Sequence, residues 1–180
     1  MSQLTQFHQD QPQTAILTTQ DFSTIATVLA AIGVRFVRWQ ASFPISADTT
    51  NEEILEAYAK DIEALKQAEG YQTVDVVSMH PNHPDKVAFR NKFLSEHIHT
   101  EDEVRFFVHG KGLFCLHVDE HIYQVVCEAE DLISVPANTR HWFDMGSQPE
   151  FTAIRLFNNQ TGWVAHFTSD PIASQFPLLD

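Results

Sequence analysis

Basic residues are scarce in this chain: 11 Lys and Arg stand against 24 Asp and Glu, a formal net charge of −13. No basic run relieves the imbalance. That argues against nucleic acid and anionic membrane surfaces as partners. Cysteine is almost absent, with Cys115 and Cys127 alone. A hairpin turning at Asp119-Glu120 would set Cys115 opposite Gln124 and Cys127 opposite Gly112, so the two thiols do not meet. Both read as free buried thiols, which suits a reducing cytosol. No stretch reaches the roughly 18 apolar residues of a membrane helix, and Met1–Asp10 lacks the basic start and apolar core of a signal peptide. The expected location is cytoplasmic. There is no Gly-rich phosphate loop and no dinucleotide fingerprint; Gly110-Lys111-Gly112 is a turn. No Gly-x-Ser-x-Gly nucleophile elbow occurs, and no internal repeat or low-complexity tract.

What is present is a globular composition, 43% hydrophobic with 14 Phe. A length of 180 residues suits one domain spanning 1–180, large enough to fold without a disulfide or metal staple. Residues 1–20 are polar, with one short strand expected around Thr14–Thr18. Asp21 is placed to cap a helix carrying Phe22, Ile25, Val28 and Leu29, stopped by Gly33. Val34–Trp39 reads as a strand. Thr49 or Thr50 caps a longer helix to about Ala68, with Glu52 and Glu53 in its first turn and Ile54, Leu55, Tyr58, Ile62 and Leu65 on one face. Gly70 ends it, and Tyr71–Met79 is β-like. Pro84 opens a helix through Leu94.

From His97 the texture changes to short apolar strands: Val104–Val108, Gly112–Val118, Ile122–Cys127, Asp131–Val135, Phe151–Leu156 and Trp163–Thr168. Turn-rich separators divide them, the pattern of an antiparallel sandwich or barrel. The expected class is mostly β with α. A β-barrel or jelly roll, mainly residues 95–170, is decorated by helices that lie mainly in residues 20–95.

The chemistry concentrates at His97-Ile98-His99-Thr100-Glu101-Asp102-Glu103. In a strand His97 and His99 project to one side, with Cα atoms about 6.5–7 Å apart and a shared ion within reach of both rings. A straight strand would put Glu103 roughly 13 Å from His99. Glu103 can join the same ion only if the chain bends at Thr100–Asp102. His141 follows a strand and a proline turn, and a barrel could bring it alongside. Three imidazoles and one carboxylate with open positions suit octahedral iron or nickel better than a closed structural zinc site. The competing reading is that His-x-His is a solvated alternation and His141 a hydrogen-bonded structural residue. His80 and His83, fenced by prolines, form a weaker candidate pair for a second metal. His109, His117 and His121 fall near turns of exposed strands.

Arg105 shares the face of Glu103. Inside a barrel it needs an anion, because an unpaired buried charge is costly. Glu101 or Asp102 could supply one, or a metal-bound substrate oxyanion could. Phe93, Phe107, Phe143 and Trp163 could line an apolar pocket, although aromatics in such strands are more often core.

His97-x-His99-x3-Glu103-x6-Gly110 followed by Pro136-x4-His141 resembles the two cupin motifs. Asn91 and Glu130 stand where those motifs usually open with Gly, Asn138 replaces the Gly after Pro136, and Met145 replaces a late Asn. Longer segments, among them Gly33-Val-Arg-Phe-Val-Arg-Trp39, Asp102-Glu-Val-Arg-Phe-Phe-Val108, Asp131-Leu-Ile-Ser-Val-Pro136 and His141-Trp-Phe-Asp-Met-Gly146, are similar to the acireductone dioxygenase family, bacterial branch, over nearly the whole chain. The resemblance implies a cupin fold, one Fe(2+) or Ni(2+) per chain, and an enediol substrate oxidised with O2 in methionine salvage. It implies metal ligation by His97, His99, Glu103 and His141. Arg105 would favour the substrate dianion, and Glu96 and Asp102 would support metal loading and relay local change. A monomer is expected. Two other classes remain in view: a cupin isomerase that turns over without O2, and a cupin sensor that only binds a small ligand.

Overall fold

Leu4 and Phe7 punctuate a polar N-terminus, and burial of both draws Gln3–His8 into a strand, β1. No strand was expected there, because the other side chains of that stretch are polar or part-exposed and give no periodicity. The computed structural model describes residues 1–46, 48–159, 161 and 164–180. β1 pairs with β2 (Ala15–Thr19), the one strand expected in this region. Helix α1 (Phe22–Ala31) starts where Asp21 accepts a hydrogen bond from the Thr24 N–H, and β3 (Arg35–Arg38) follows. Thr50 and Glu53 form a capping box that opens α2 (Asn51–Ala57).

The single long helix expected from Thr50 is broken in two, with α3 at Ala59–Glu69. Tyr58 leaves helical dihedrals at the joint, at φ −107° and ψ 12°. Its ring packs edge-on against Phe106, and its hydroxyl accepts the Phe43 N–H at 3.3 Å. Gly70, at φ 80°, ends α3 as a left-handed cap. β4 (Thr73–Met79), α4 (Lys86–Phe93) and β5 (His97–Ile98) complete the first half. Then come β6 (Glu103–Val118), β7 (His121–Glu128), β8 (Asp131–Val135), β9 (Arg140–Asp144), β10 (Phe151–Phe157) and β11 (His166–Phe167), and a short 3-10 turn at Pro171–Gln175. The last strand is shorter than the expected Trp163–Thr168, and Trp163 lies outside the described residues.

Two expected strands, Val104–Val108 and Gly112–Val118, are one strand of 16 residues. β6 belongs to both sheets of the barrel. Its first half pairs with β8 and β10, in the order β4-β10-β6-β8-β3. Its second half pairs with β7 and β9, in the order β11-β5-β9-β6-β7-β1-β2. Between the halves Val108 is skipped in the register with β10, a bulge, and Gly110 sits at φ 69°.

The bulge inverts the strand's alternation. Before it, Glu103, Arg105 and Phe107 point inward while Val104, Phe106 and Val108 pack outward against Ile54, Tyr58, Ile62 and Leu65 of α2 and α3. After it, Phe114 and Leu116 join the interior with Phe107, while Leu113 and Cys115 pack outward with Trp142, Ile172 and Phe176. The register of β7 sets Cys115 opposite Gln124 and Cys127 opposite Gly112, as expected from the hairpin turn. Glu130 and Asn138 hold φ of 82° and 62° where the cupin motifs usually carry Gly, so the backbone keeps the left-handed turn with side chains that favour it less.

Gly110 has the least room for a side chain. A Cβ there would collide with the Glu150 carbonyl oxygen, and φ is already left-handed. Gly110→Ala is expected to lower stability by about 2–3 kcal/mol, measured as a drop in the denaturant midpoint at constant slope.

Candidate metal centre

β5 lies between β9 and β11, and its register puts His97 directly opposite His141. The chain then bends at Thr100 and Glu101 and re-enters the sheet at Glu103. Two hydrogen bonds hold the bend against the turn after β8: the Asn138 N–H donates to the His99 carbonyl, and the Ala137 N–H to the Asp102 carboxylate, both at 2.8 Å. The bend required for Glu103 to approach is therefore present. Ring centroids of His97 and His141 lie 4.4 Å apart, those of His97 and His99 5.1 Å, and those of His99 and His141 5.2 Å. One nitrogen from each lies within 4.8 Å of the others. Glu103 Oε2 is 3.1 Å from His141 Nε2 and 3.6 Å from His99 Nε2. All four residues are buried.

Hydrogen bonds decide which nitrogen each ring presents. Nδ1 of His97 meets the Ser95 carbonyl at 2.8 Å, that of His99 the Val164 carbonyl at 3.0 Å, and that of His141 the Thr139 carbonyl at 2.8 Å. A carbonyl only accepts, so each Nδ1 carries a proton, and Nε2 is the nitrogen each ring turns toward the others. His141 Nε2 faces the Glu103 carboxylate at 3.1 Å. Neither His141 Nε2 nor Glu103 Oε2 has a hydrogen-bond partner, although both are buried. A buried nitrogen and carboxylate oxygen at 3.1 Å are satisfied by a proton or a metal cation between them. The three imidazoles form a site able to hold one metal ion, and the orphaned atoms fit that use.

Electrostatics point the same way. Burial would raise the Glu103 carboxyl, but Arg105 and then His141 outweigh it and hold it well below the usual carboxylate range. Burial, with the neighbouring His141, pushes His97 down from 6.5 to about 4, so its ring stays neutral. Burial lowers His99 as well. Arg105 bonds Glu103 Oε1 through both Nε and Nη2 at 2.7 Å. Its guanidinium lies over the adjoining rings of Phe114 and Phe143, 5.0 and 4.7 Å from their centroids. The expected pairing of Arg105 with Glu101 or Asp102 does not form. Those acids face the other way, toward Asn159 and the Ala137 N–H.

A cavity of about 440 Å³ opens onto the site. Phe93 and Phe143 line it, together with Arg105. Phe107 does not; it is fully buried in the interior core among Phe143 and Phe151. Sequence reasoning missed Lys92, Arg155, Phe157, Val164 and Phe167, which also line the cavity. Arg155 stands opposite Arg105 across β6 and β10 and pairs with Asp75 at 2.6 Å, a partner on β4 that only the register reveals.

Glu96 lies next to His97 and is buried. It accepts from His117 Nδ1 at 2.6 Å and from the Thr168 hydroxyl at 2.7 Å. His117, expected near a turn of an exposed strand, is 3% exposed because its ring answers this buried carboxylate. His80 and His83 lie in an exposed loop with rings 5.6 Å apart, and no third ligand joins them among the described residues.

The ARD/ARD' family model matches residues 3–165. The chain belongs to the ARD/ARD' family. Curated relatives in that family's pattern are named acireductone dioxygenase. One from Pseudomonas paraeruginosa is 58% identical, with 100% of this chain and 99% of the relative covered. One from a Synechococcus strain is 56% identical over 99% of each. Among solved structures, an acireductone dioxygenase from Bacillus anthracis with a cadmium ion in its active centre superposes with a TM-score of 0.82 at 31% identity. It covers 93% of this chain and 98% of that one, so the helix-decorated barrel of this ARD/ARD' chain is the fold of that protein.

Because the unfolded chain protonates His97 near 6.5 and the folded chain only near 4, the unfolded state binds the extra proton in between. Metal-stripped protein should lose stability as pH falls through that window, by up to about 3 kcal/mol from His97, and stay flat above it. Thermal melts across the window should show the slope, and His97→Gln should reduce it.

Proposed function

We propose that this chain is an acireductone dioxygenase working on one divalent ion held by Nε2 of His97, His99 and His141 and by the Glu103 carboxylate. The observation that carries this reading is the convergence of three imidazole nitrogens and a carboxylate, two of those atoms orphaned, at the end of a cavity. The substrate is 1,2-dihydroxy-3-keto-5-methylthiopentene, with O2 as co-substrate. With iron, the products are 4-methylthio-2-oxobutanoate and formate; with nickel, 3-methylthiopropionate, CO and formate. Both sets sum to substrate plus O2. When bound, the ion supplies positive charge that favours the enediolate and brings O2 beside it.

The chain's own residues prepare that chemistry. Ser95, Val164 and Thr139 fix the imidazole tautomers through their carbonyls. Arg105 steadies the Glu103 charge and adds positive potential to the cavity, favouring an anionic substrate. Phe93 and Phe143 present apolar surface to the rest of the substrate and exclude water from the reacting end. Glu96 buttresses His97 through His117 and Thr168, and Asp102 holds the bend through Ala137. Nickel binds such a site more tightly than ferrous iron, so occupancy follows supply. A cytoplasmic monomer without nucleic-acid or membrane partners is part of the same reading, supported by the net charge of −13.

Elemental analysis with product identification tests the activity. One ion per chain is expected, with CO from nickel protein and oxo acid from iron protein. Absence of O2 uptake with either metal would sink the assignment. His141→Ala should weaken metal binding at least about a hundredfold. Full occupancy with unchanged turnover would take His141 out of the ligand set.

A further inference from the structure

His99 differs from the other two histidines in how it is aimed. His97 and His141 each bond a carbonyl two residues back on their own chain segment, Ser95 and Thr139. His99 instead uses the Val164 carbonyl, 65 residues away. Val164 and its neighbour Ala165 also line the cavity. The segment that forms a cavity wall thus orients one of the imidazoles.

That segment is tied back to the metal bend by a closed series of hydrogen bonds. Glu101 Oε1, two residues from His99, accepts from Asn159 Nδ2 at 2.7 Å. Asn159 Oδ1 accepts from the Thr161 N–H at 2.8 Å and the Thr161 hydroxyl at 2.7 Å. The Thr161 carbonyl accepts from the Val164 N–H at 3.1 Å. The Val164 carbonyl accepts from His99 Nδ1 at 3.0 Å, and the chain runs on from His99 to Glu101. Thr73 steadies the start of the segment by donating to the Asn159 carbonyl at 3.2 Å.

We infer that Glu101 and Asn159 are positioning residues: their hydrogen bond is a latch that anchors Asn159 and, through Thr161, the Val164 backbone, so that the Val164 carbonyl holds His99 in its metal-facing orientation and Val164 keeps its place in the cavity wall. The inference rests on the ligand set proposed above. Opening the latch leaves His97 and His141 aimed by their own carbonyls and loosens His99 alone. It also lets the cavity wall recede. Metal and substrate affinity are coupled through Val164, and by linkage a ligand packed against the wall tightens binding of the ion.

The test compares wild type with Glu101→Ala, Asn159→Asp and Glu101→Gln. Asn159→Asp keeps an acceptor for both bonds to Thr161 but replaces the donor to Glu101 with a carboxylate that repels it; Glu101→Gln keeps the acceptor. Release of Zn(2+) from loaded protein into excess chelator should be roughly three- to tenfold faster in the first two variants, and within about twofold of wild type in Glu101→Gln. In 15N-histidine spectra of the zinc protein, the His99 Nδ1–H should exchange faster with solvent while those of His97 and His141 do not change. In the nickel enzyme KM should rise more than kcat falls. Wild-type release rates in Glu101→Ala and Asn159→Asp, equal damage from Glu101→Gln, or equal loosening of all three rings would each overturn the latch. A wild type that takes up no divalent ion would instead overturn the ligand set beneath it.

Discussion

Everything around the centre follows from buried nitrogen and carboxylate atoms pointed at one another. Three backbone carbonyls accept hydrogen bonds from the Nδ1 atoms and so turn the Nε2 atoms toward each other, and Arg105 keeps Glu103 ionised. Such a cluster is unfavourable in an empty protein. The barrel must therefore hold it by force of packing, which is why the four residues sit on strands or against a strand-bound turn and not on free loops. The instability of the bare cluster is what gives it affinity for a cation, because the ion relieves repulsion as well as accepting lone pairs.

The Glu103–Arg105 pair carries a second consequence. A buried ion pair seldom adds net stability, since desolvating both charges offsets their attraction. Here the adjoining rings of Phe114 and Phe143 lie under the guanidinium and lessen that cost. Phe143 also packs on Phe93 and borders the cavity, so one ring serves the core, the cation and the candidate substrate surface. Gly112 makes room for it: a Cβ at that position would strike the Phe143 ring.

Local signals in the sequence survived into the structure wherever the physics is local. Asp21 and Thr50 cap helices because an acceptor side chain needs only the next turn. The register of Cys115 and Cys127 follows from the hairpin alone. The alternation of His97 and His99, and the bend needed for Glu103, were readable from strand geometry. What was not readable depends on distant partners. β1 exists because β7 and β2 flank it. Tyr58 kinks a helix to reach Phe106 and Phe43, which lie elsewhere in the sequence. His117 is buried by Glu96, 21 residues away, and Arg155 is explained by Asp75, 80 residues away. The continuity of β6 was hidden by Gly110-Lys111-Gly112, which reads as a turn but serves a bulge within a strand.

That bulge gives the chain an uneven tolerance to changes of length. Loops absorb insertions cheaply. β6 cannot: its inward set is odd-numbered before Val108 and even-numbered after Gly110. Removing one residue from either half while the bulge persists would turn the rest of that half over. Either Glu103 and Arg105 would face the apolar helices α2 and α3, or Phe114 and Leu116 would leave the interior. A family drifting by insertion and deletion should therefore vary freely around this strand and keep its length, even where the side chains at the bulge itself change.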